Sequence, residues 1–271
     1  MKRRNFLITA SLSAALTLGV ATACTSPSDT TEDAAGADAG EPKVLVMATS
    51  ADYPPYEFYD TAGGGEEPVG FDIDIAKALT EKLGYTLEIE DMDFSGIIPA
   101  LQAERVDFAM SGMTPTEERK QSVDFSQTYY DAKNTIVSAK DSGFTSYDDL
   151  AGKTVGVQLG SIQEGEAKEQ AEAIAGITIE SRNKISELVQ EIKAGRIDAA
   201  IIEDTVAKGY IQNNPDLQFS TIESEGESGS AIAFPKGSPI AAEFDQALTE
   251  LKASGELDGL IKVWFEDFYT K

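Results

Sequence analysis

Ser111-Gly112-Met113-Thr114-Pro115-Thr116-Glu117-Glu118-Arg119 sets hydroxyls, a glycine and a guanidinium within one short stretch. Hydroxyls, backbone N–H groups and a planar cation together suit a small carboxylate. The same residues also make an ordinary loop with a threonine-capped helix start and a solvated arginine. Glu203-Asp204 supplies the opposite charge, suited to an ammonium group. Histidine is absent, which removes histidine triads, histidine zinc sites and the commonest general acid–base residue. Acidic residues outnumber basic ones 47 to 22, for a net charge of −25, which argues against a nucleic-acid partner. Cys24 is the only cysteine, so no intrachain disulfide exists.

The elements that position these groups read as alternating strands and helices. Val44 to Ala48 is a short apolar run, a buried parallel strand, opening into Tyr53-Pro54-Pro55-Tyr56-Glu57-Phe58, a rigid aromatic loop with Tyr53 as a ligand wall and Phe58 as packing. Ile75, Ala78, Leu79 and Leu83 recur at helical spacing before the stop at Gly84. Asp72 and Asp74 at the start of that helix read as caps rather than metal ligands. Tyr85 to Glu90 alternates as a strand, and a helix follows with Pro99 in its first turn, ending near Ala103. The strand Val106, Phe108, Met110 then delivers the hydroxyl-rich loop.

Ala103-Glu104-Arg105-Val106-Asp107-Phe108-Ala109-Met110 is echoed by Ala194-Gly195-Arg196-Ile197-Asp198-Ala199-Ala200-Ile201. Each copy follows an amphipathic helix, so the echo predicts two similar α/β lobes. It also sets Ser111 to Thr114 at one strand end and Glu203-Asp204 at the other. Facing each other, these ends complement a zwitterion, as in an α-amino acid. Ser161, after Gly160 and before a helix, is either an anion site or a plain cap. The chain is expected to cross between lobes near Tyr130 to Lys133 and again at Glu225 to Ser230. Phe244, Leu248 and Leu251 mark the inner face of a closing helix, and Trp264-Phe265 reads as packing.

The start of the chain has a basic Lys2-Arg3-Arg4, a short apolar run from Phe6 to about Val20, and Ala21-Thr22-Ala23-Cys24. That is a secretory signal, and its end resembles the lipobox of bacterial lipoproteins, with Cys24 as the lipidated residue. Thr25 to Glu41 has no aromatic or branched aliphatic residue and reads as a flexible acidic tether.

Gly70-Phe71-Asp72-Ile73-Asp74-Ile75, Ser111 to Arg119, Lys153-Thr154-Val155-Gly156-Val157 with Gly160-Ser161, Ala233-Phe234-Pro235-Lys236-Gly237-Ser238 and Trp264-Phe265 resemble the family 3 extracellular solute-binding proteins of polar amino-acid ABC importers. The resemblance runs in order from Lys43 to the end, with a small departure at Thr80. It implies a two-lobed periplasmic-binding-protein-like α/β fold of type II. Each lobe is a small sheet flanked by helices, and two crossing strands form the hinge. The expected domains are a signal peptide (1–23), a tether (24–42), a discontinuous lobe 1 (43–132 and 230–271) and lobe 2 (133–229).

By the same resemblance, Arg119 binds the ligand carboxylate with Ser111, Thr114 and backbone N–H groups near Gly112 and Ser161-Ile162. Tyr53 and Phe94 sandwich the ligand side chain. Glu203, with Asp204 next to it, stands where the family usually carries the aspartate for the α-amino group. Ser50 occupies a position where some binders of basic amino acids carry Asp, which counts against lysine or arginine. The implied activity is capture by hinge closure, with no catalytic residue, cofactor or metal. Implied partners are a free amino acid, a permease with its ATPase subunits, and the membrane through the N-terminal lipid of an exported monomer. A cyclohexadienyl dehydratase-like enzyme using Glu203 or Asp204, or an amino-acid sensor, is the alternative on the same scaffold.

Overall fold

The computed structural model describes residues 43–60, 64–223 and 228–268. The expected signal peptide, Cys24 and tether lie outside them, as do residues 225–227 of the second expected crossing. In chain order the first half has β1 (Val44–Thr49), β2 (Asp52–Tyr53), β3 (Glu57–Tyr59), β4 (Pro68–Val69), α1 (Phe71–Leu83), β5 (Thr86–Asp91), α2 (Phe94–Gln102), β6 (Phe108–Ala109), α3 (Glu117–Lys120) and β7 (Val123–Tyr130). There follow β8 (Asn134–Ala139), β9 (Thr154–Gln158), α4 (Ile162–Ala173), β10 (Thr178–Arg182), α5 (Ile185–Lys193), β11 (Ala199–Glu203), α6 (Asp204–Gln212) and β12 (Leu217–Thr221). The chain closes with β13 (Ser230–Pro235), α7 (Ala241–Ser254), α8 (Glu256–Ile261) and a π-helical turn at Lys262–Asp267.

Two five-stranded sheets carry the two lobes, in the orders β5-β1-β6-β13-β7 and β10-β9-β11-β8-β12. In each, the first three strands pair in parallel, the fourth runs antiparallel to them, and the fifth pairs antiparallel with the fourth. The echo falls on equivalent places. Asp107 donates its N–H to Val46 O and accepts the Val46 N–H at its carboxylate (2.9 and 2.8 Å); Asp198 does the same with Thr154 (2.8 and 2.8 Å). The turn before each strand needs a left-handed residue, filled by Glu104 in one copy and Gly195 in the other. The chain leaves the first sheet after Tyr130, enters the second at Asn134, and returns to the first at Ser230.

Alternation in β1 explains the layering. Leu45 and Met47 face the cluster under α1 and α7 with Leu79, Phe108, Phe234 and Phe244, while Ala48 faces the cluster under α2 with Ile97 and Leu101. The second sheet repeats this, with Val137, Leu188 and Val206 on one side and Val155, Ala167 and Ile201 on the other. Phe244, Leu248 and Leu251 are buried on α7, and Phe265 is buried while Trp264 is half-buried, as expected from the sequence.

Three expectations are corrected. Pro99 lies inside α2, not in its first turn, because the helix already starts at Phe94 behind the Asp93 N-cap. Asp72 and Asp74 do not cap α1, whose N-cap Gly70 has no side-chain bond. Asp72 instead reaches Gly112 N and Tyr129 Oη, and Asp74 accepts the Trp264 indole N–H at 2.8 Å. The aromatic stretch is not simply a loop: β2, β3 and β4 make a small antiparallel sheet of their own. Gly70 closes it at φ 140°, where a Cβ would lie 2.1 Å from Tyr56 O.

Candidate functional site

A cavity of about 790 Å³ lies between the lobes. It gathers Ser50, Tyr53, Phe94, Ser111, Gly112, Thr114 and Arg119 from the first lobe and Ser161, Ile162, Glu203 and Asp204 from the second. Gln158, Gln163, Asn134 and the crossing residues Tyr130 to Lys133 complete much of its wall. Phe58 stays outside, packed on Trp264 and Phe268.

One end of the cavity is built for negative charge. β6 stops at Ala109, and the loop beyond it turns into α3, where Thr116 caps the Arg119 N–H at 3.2 Å. The Arg119 side chain folds back beneath the loop and donates Nη1–H to Thr114 O (2.9 Å) and Nη2–H to Gly160 O of the other lobe (3.0 Å). Its guanidinium lies 5.4 Å from the Phe94 ring centre. No ion-pair partner for it is found among the described residues, and burial lowers its pKa to about 10, leaving it cationic at neutral pH.

Across the cavity, α4 presents its N-terminus. Ser161 is fully used as a cap: its hydroxyl accepts the Glu164 N–H (3.1 Å) and donates to Gln158 O (2.7 Å). The Ser161 N–H bonds Gln158 O, and the Gly160 N–H bonds Glu164 Oε2. The first helical amides, those of Ile162 and Gln163, have no intrahelical acceptor by construction and belong to residues of the cavity wall. The Gly112 N–H is likewise engaged inside the protein, by Asp72 at 2.9 Å. Backbone donors for a ligand therefore concentrate at Ile162 and Gln163 rather than at Gly112 or Ser161. A residue motif reveals which amides exist but not which are already bonded.

The other end is acidic. Glu203 ends β11 and is buried; it accepts the Thr205 hydroxyl at 2.5 Å. Burial pushes its pKa up to about 7, against the downward pull of the Thr205 and Tyr56 hydroxyls. Asp204 starts α6, half-buried, and spends Oδ1 on the N–H groups of Lys133 (3.2 Å) and Thr205 (2.9 Å), holding the first crossing. Between the ends, Tyr53 packs 5.7 Å from Tyr56 and closes over Gly112. A Cβ on Gly112, at φ 56°, would stand 3.1 Å from the Tyr53 ring.

The lobes also touch directly along the cleft. Asp52 Oδ2 accepts the Ile185 N–H at 2.6 Å and Asp52 O accepts the Tyr210 hydroxyl at 2.8 Å. Asn183 donates to Asp93 at 2.8 Å, and Lys184 lies 3.8 and 3.9 Å from Asp91 and Asp93. Sequence reading missed Asp52, and it missed Glu57, buried beneath Ser111. A carboxylate inside an otherwise aromatic, proline-rich loop was the available signal for both.

Known proteins share this fold. The profile of the bacterial extracellular solute-binding proteins, family 3, matches residues 45–267. The chain is 53% identical over 232 residues to the arginine-binding extracellular protein ArtP of Bacillus subtilis (strain 168), covering 85% of this chain and 89% of that one. An ancestral arginine-binding protein bound to arginine superposes with a TM-score of 0.77 at 42% identity, over 83% of this chain and 99% of its own. An ancestral amino-acid-binding protein that is a precursor of cyclohexadienyl dehydratase does so with 0.74 at 35%, over 82% and 96%. With its two sheets, its inter-lobe cavity and a match across nearly all the described residues, this chain belongs to the bacterial extracellular solute-binding proteins of family 3.

Proposed function

We propose that the protein captures L-arginine outside the cell and delivers it to the permease of an ABC importer. The chain is the amino-acid-binding component of such a system, and the observation that carries the reading is the pairing of Arg119 with Glu203 across one cavity. A buried guanidinium without a carboxylate partner is costly, and a ligand carboxylate bound to it and to the α4 amides offsets that cost. Glu203 takes the α-ammonium, since Asp204 already serves the Lys133 and Thr205 amides. Tyr53 and Phe94 flank the side chain, with Ser50, Ser111, Gly112 and Thr114 completing the wall.

Arginine itself is favoured by charge. The cavity wall carries Asp131, Glu203, Asp204 and Glu223 against Arg119 and Lys133. Once Arg119 has met the carboxylate, the remaining acidic excess suits a ligand with a net positive charge. The names of the similar proteins agree, against the expectation drawn from Ser50. Ser50 itself donates to Asp52 at 3.3 Å. Lobe boundaries at 43–132 with 230–271, and at 133–229, fit the two sheets; lipidation at Cys24, a monomeric state and the absence of catalysis complete the proposal.

Thermal-shift and calorimetric titration with arginine, lysine, histidine and glutamine test it. Arginine is expected to raise the melting temperature most, a ligand at about 100 times its Kd adding about 2.7 kcal/mol. A larger shift with glutamine, and none with arginine, overturns the choice of ligand. The near-neutral Glu203 also favours a second reading, an acid–base enzyme. NMR of bound arginine over a long incubation separates the two, since capture leaves it unchanged.

A further inference from the structure

We propose that Glu57 and Asp72 share one proton beneath the Ser111–Gly112 turn, and that this acid pair is the positioning element that holds the turn against the ligand. Both side chains are fully buried, Glu57 on β3 and Asp72 on α1. Glu57 Oε1 accepts the Ser111 hydroxyl at 2.7 Å, and Ser111 Oγ in turn accepts the Ser50 N–H at 3.1 Å. Asp72 Oδ2 accepts the Gly112 N–H at 2.9 Å and the Tyr129 hydroxyl at 2.8 Å. Each carboxyl thus spends one oxygen on the network. The other oxygens, Glu57 Oε2 and Asp72 Oδ1, are buried without a donor, and the two carboxyls lie within hydrogen-bond reach of each other.

Two carboxylates cannot both stay ionised at such a place. One proton turns two orphaned acceptors into a single hydrogen bond and leaves the pair with one negative charge. The neighbours that act on the pair supply no counter-cation: Asp52 of β2, Tyr53 and Tyr129 of β2 and β7, and Glu203 of β11 are acidic or phenolic. Asp72 has two donors on its engaged oxygen and Glu57 one, so the proton resides on Glu57. Burial agrees, pushing Glu57 well above the usual carboxylate range and Asp72 only to about 6. At neutral pH the turn that lines the cavity is therefore tied to a protonated glutamic acid. Loss of that proton in alkali sets two like charges under the turn and loosens it.

Glu57→Gln mimics the protonated acid: its amide oxygen accepts from Ser111 and its NH₂ donates to Asp72. Asp72→Asn reverses the donor and leaves Glu57 ionised. The double variant sets two NH₂ donors face to face. Infrared difference spectra at pH 8, where Glu203 is largely ionised, are expected to show a protonated-carboxylic C=O band in the wild type that shifts in D₂O. The band is lost in either single variant. Each single variant is expected to melt near the wild type, and the double variant far below the sum of the two. In calorimetry, wild-type affinity for L-arginine falls about tenfold per pH unit above the pair's last titration, more steeply than that of Glu57→Gln, in which only the ligand's own titration remains. Absence of the band from the wild type, or additive melting in the double variant, overturns the proposal. The binding arm rests on the arginine reading; failure of arginine to bind refutes that reading, while the spectroscopic and melting arms still decide the pair.

Discussion

Arg119 and Gly160 sit on opposite lobes, and the guanidinium of one donates to the carbonyl of the other at 3.0 Å. The cation assigned to the ligand carboxylate is thus also a strut across the cleft. On the proposed reading this position couples binding to closure, since a carboxylate held by Arg119 and the α4 amides touches both lobes at once.

Arg119→Ala removes both roles. A buried hydrogen bond to a charged group is worth about 1.5–3 kcal/mol, so arginine affinity is expected to fall by about one to two decades or more. Calorimetric titration checks this, and unchanged affinity would refute the assignment of Arg119.

With Glu203 as the proposed partner of the ammonium, arginine affinity is expected to depend on pH. With its pKa raised to about 7 in the free protein, the carboxylate that an ammonium needs is lost as pH falls below 7. Affinity is expected to weaken by up to about tenfold per unit below that point, and Glu203→Gln flattens the profile. Stability of the unliganded protein moves the other way. The folded state binds a proton that the unfolded chain releases, so this group's contribution is present at low pH and declines as pH rises from the ordinary carboxylate range to about 7. Titrations and melting curves over the same buffers should show the two opposite slopes.

Asp52 latches the cleft without touching the carboxylate end. Its carboxylate accepts from the first amide of α5 at 2.6 Å, with Lys184 beside it. Asp52→Ala is expected to favour the open form, raising the dissociation rate more than it lowers the association rate. Small-angle scattering of the unliganded variant would then show a larger radius of gyration; an unchanged radius and dissociation rate would leave Asp52 without this role.

Gly70→Ala tests the junction between the small sheet and α1. A Cβ there would lie 2.1 Å from Tyr56 O and 2.9 Å from the Glu57 N. Backbone must move, and the φ of 140° disfavours any side chain, so a drop in melting temperature larger than that of a typical surface substitution is expected. Since Asp72 N bonds Tyr56 O at 2.9 Å, arginine affinity should fall with it.

The sequence by itself determined the lobes and the polarity of the cleft. Apolar runs such as Val44 to Ala48, helical spacing before Gly84 and the Arg105/Arg196 echo are local patterns, set by which side chains must be buried and which backbone must turn. Two echoed helix–strand units place Glu203 and the Ser111 to Thr114 loop that leads to Arg119 at equivalent strand ends, so the opposite charges of the site were readable before any contact was known. Tertiary structure alone decided which donors were spent. Gly112 and Ser161 carry amides that bond Asp72 and Gln158, and Asp72 serves Gly112 and Tyr129 rather than its own helix. It also decided that Glu57 and Asp72 are fully buried and that Glu203 is buried in the cavity wall, which raises the pKa of each carboxyl. Hydrogen-bond partners and desolvation depend on residues distant in sequence that meet only when the sheets and the two lobes assemble, and no local pattern encodes that meeting.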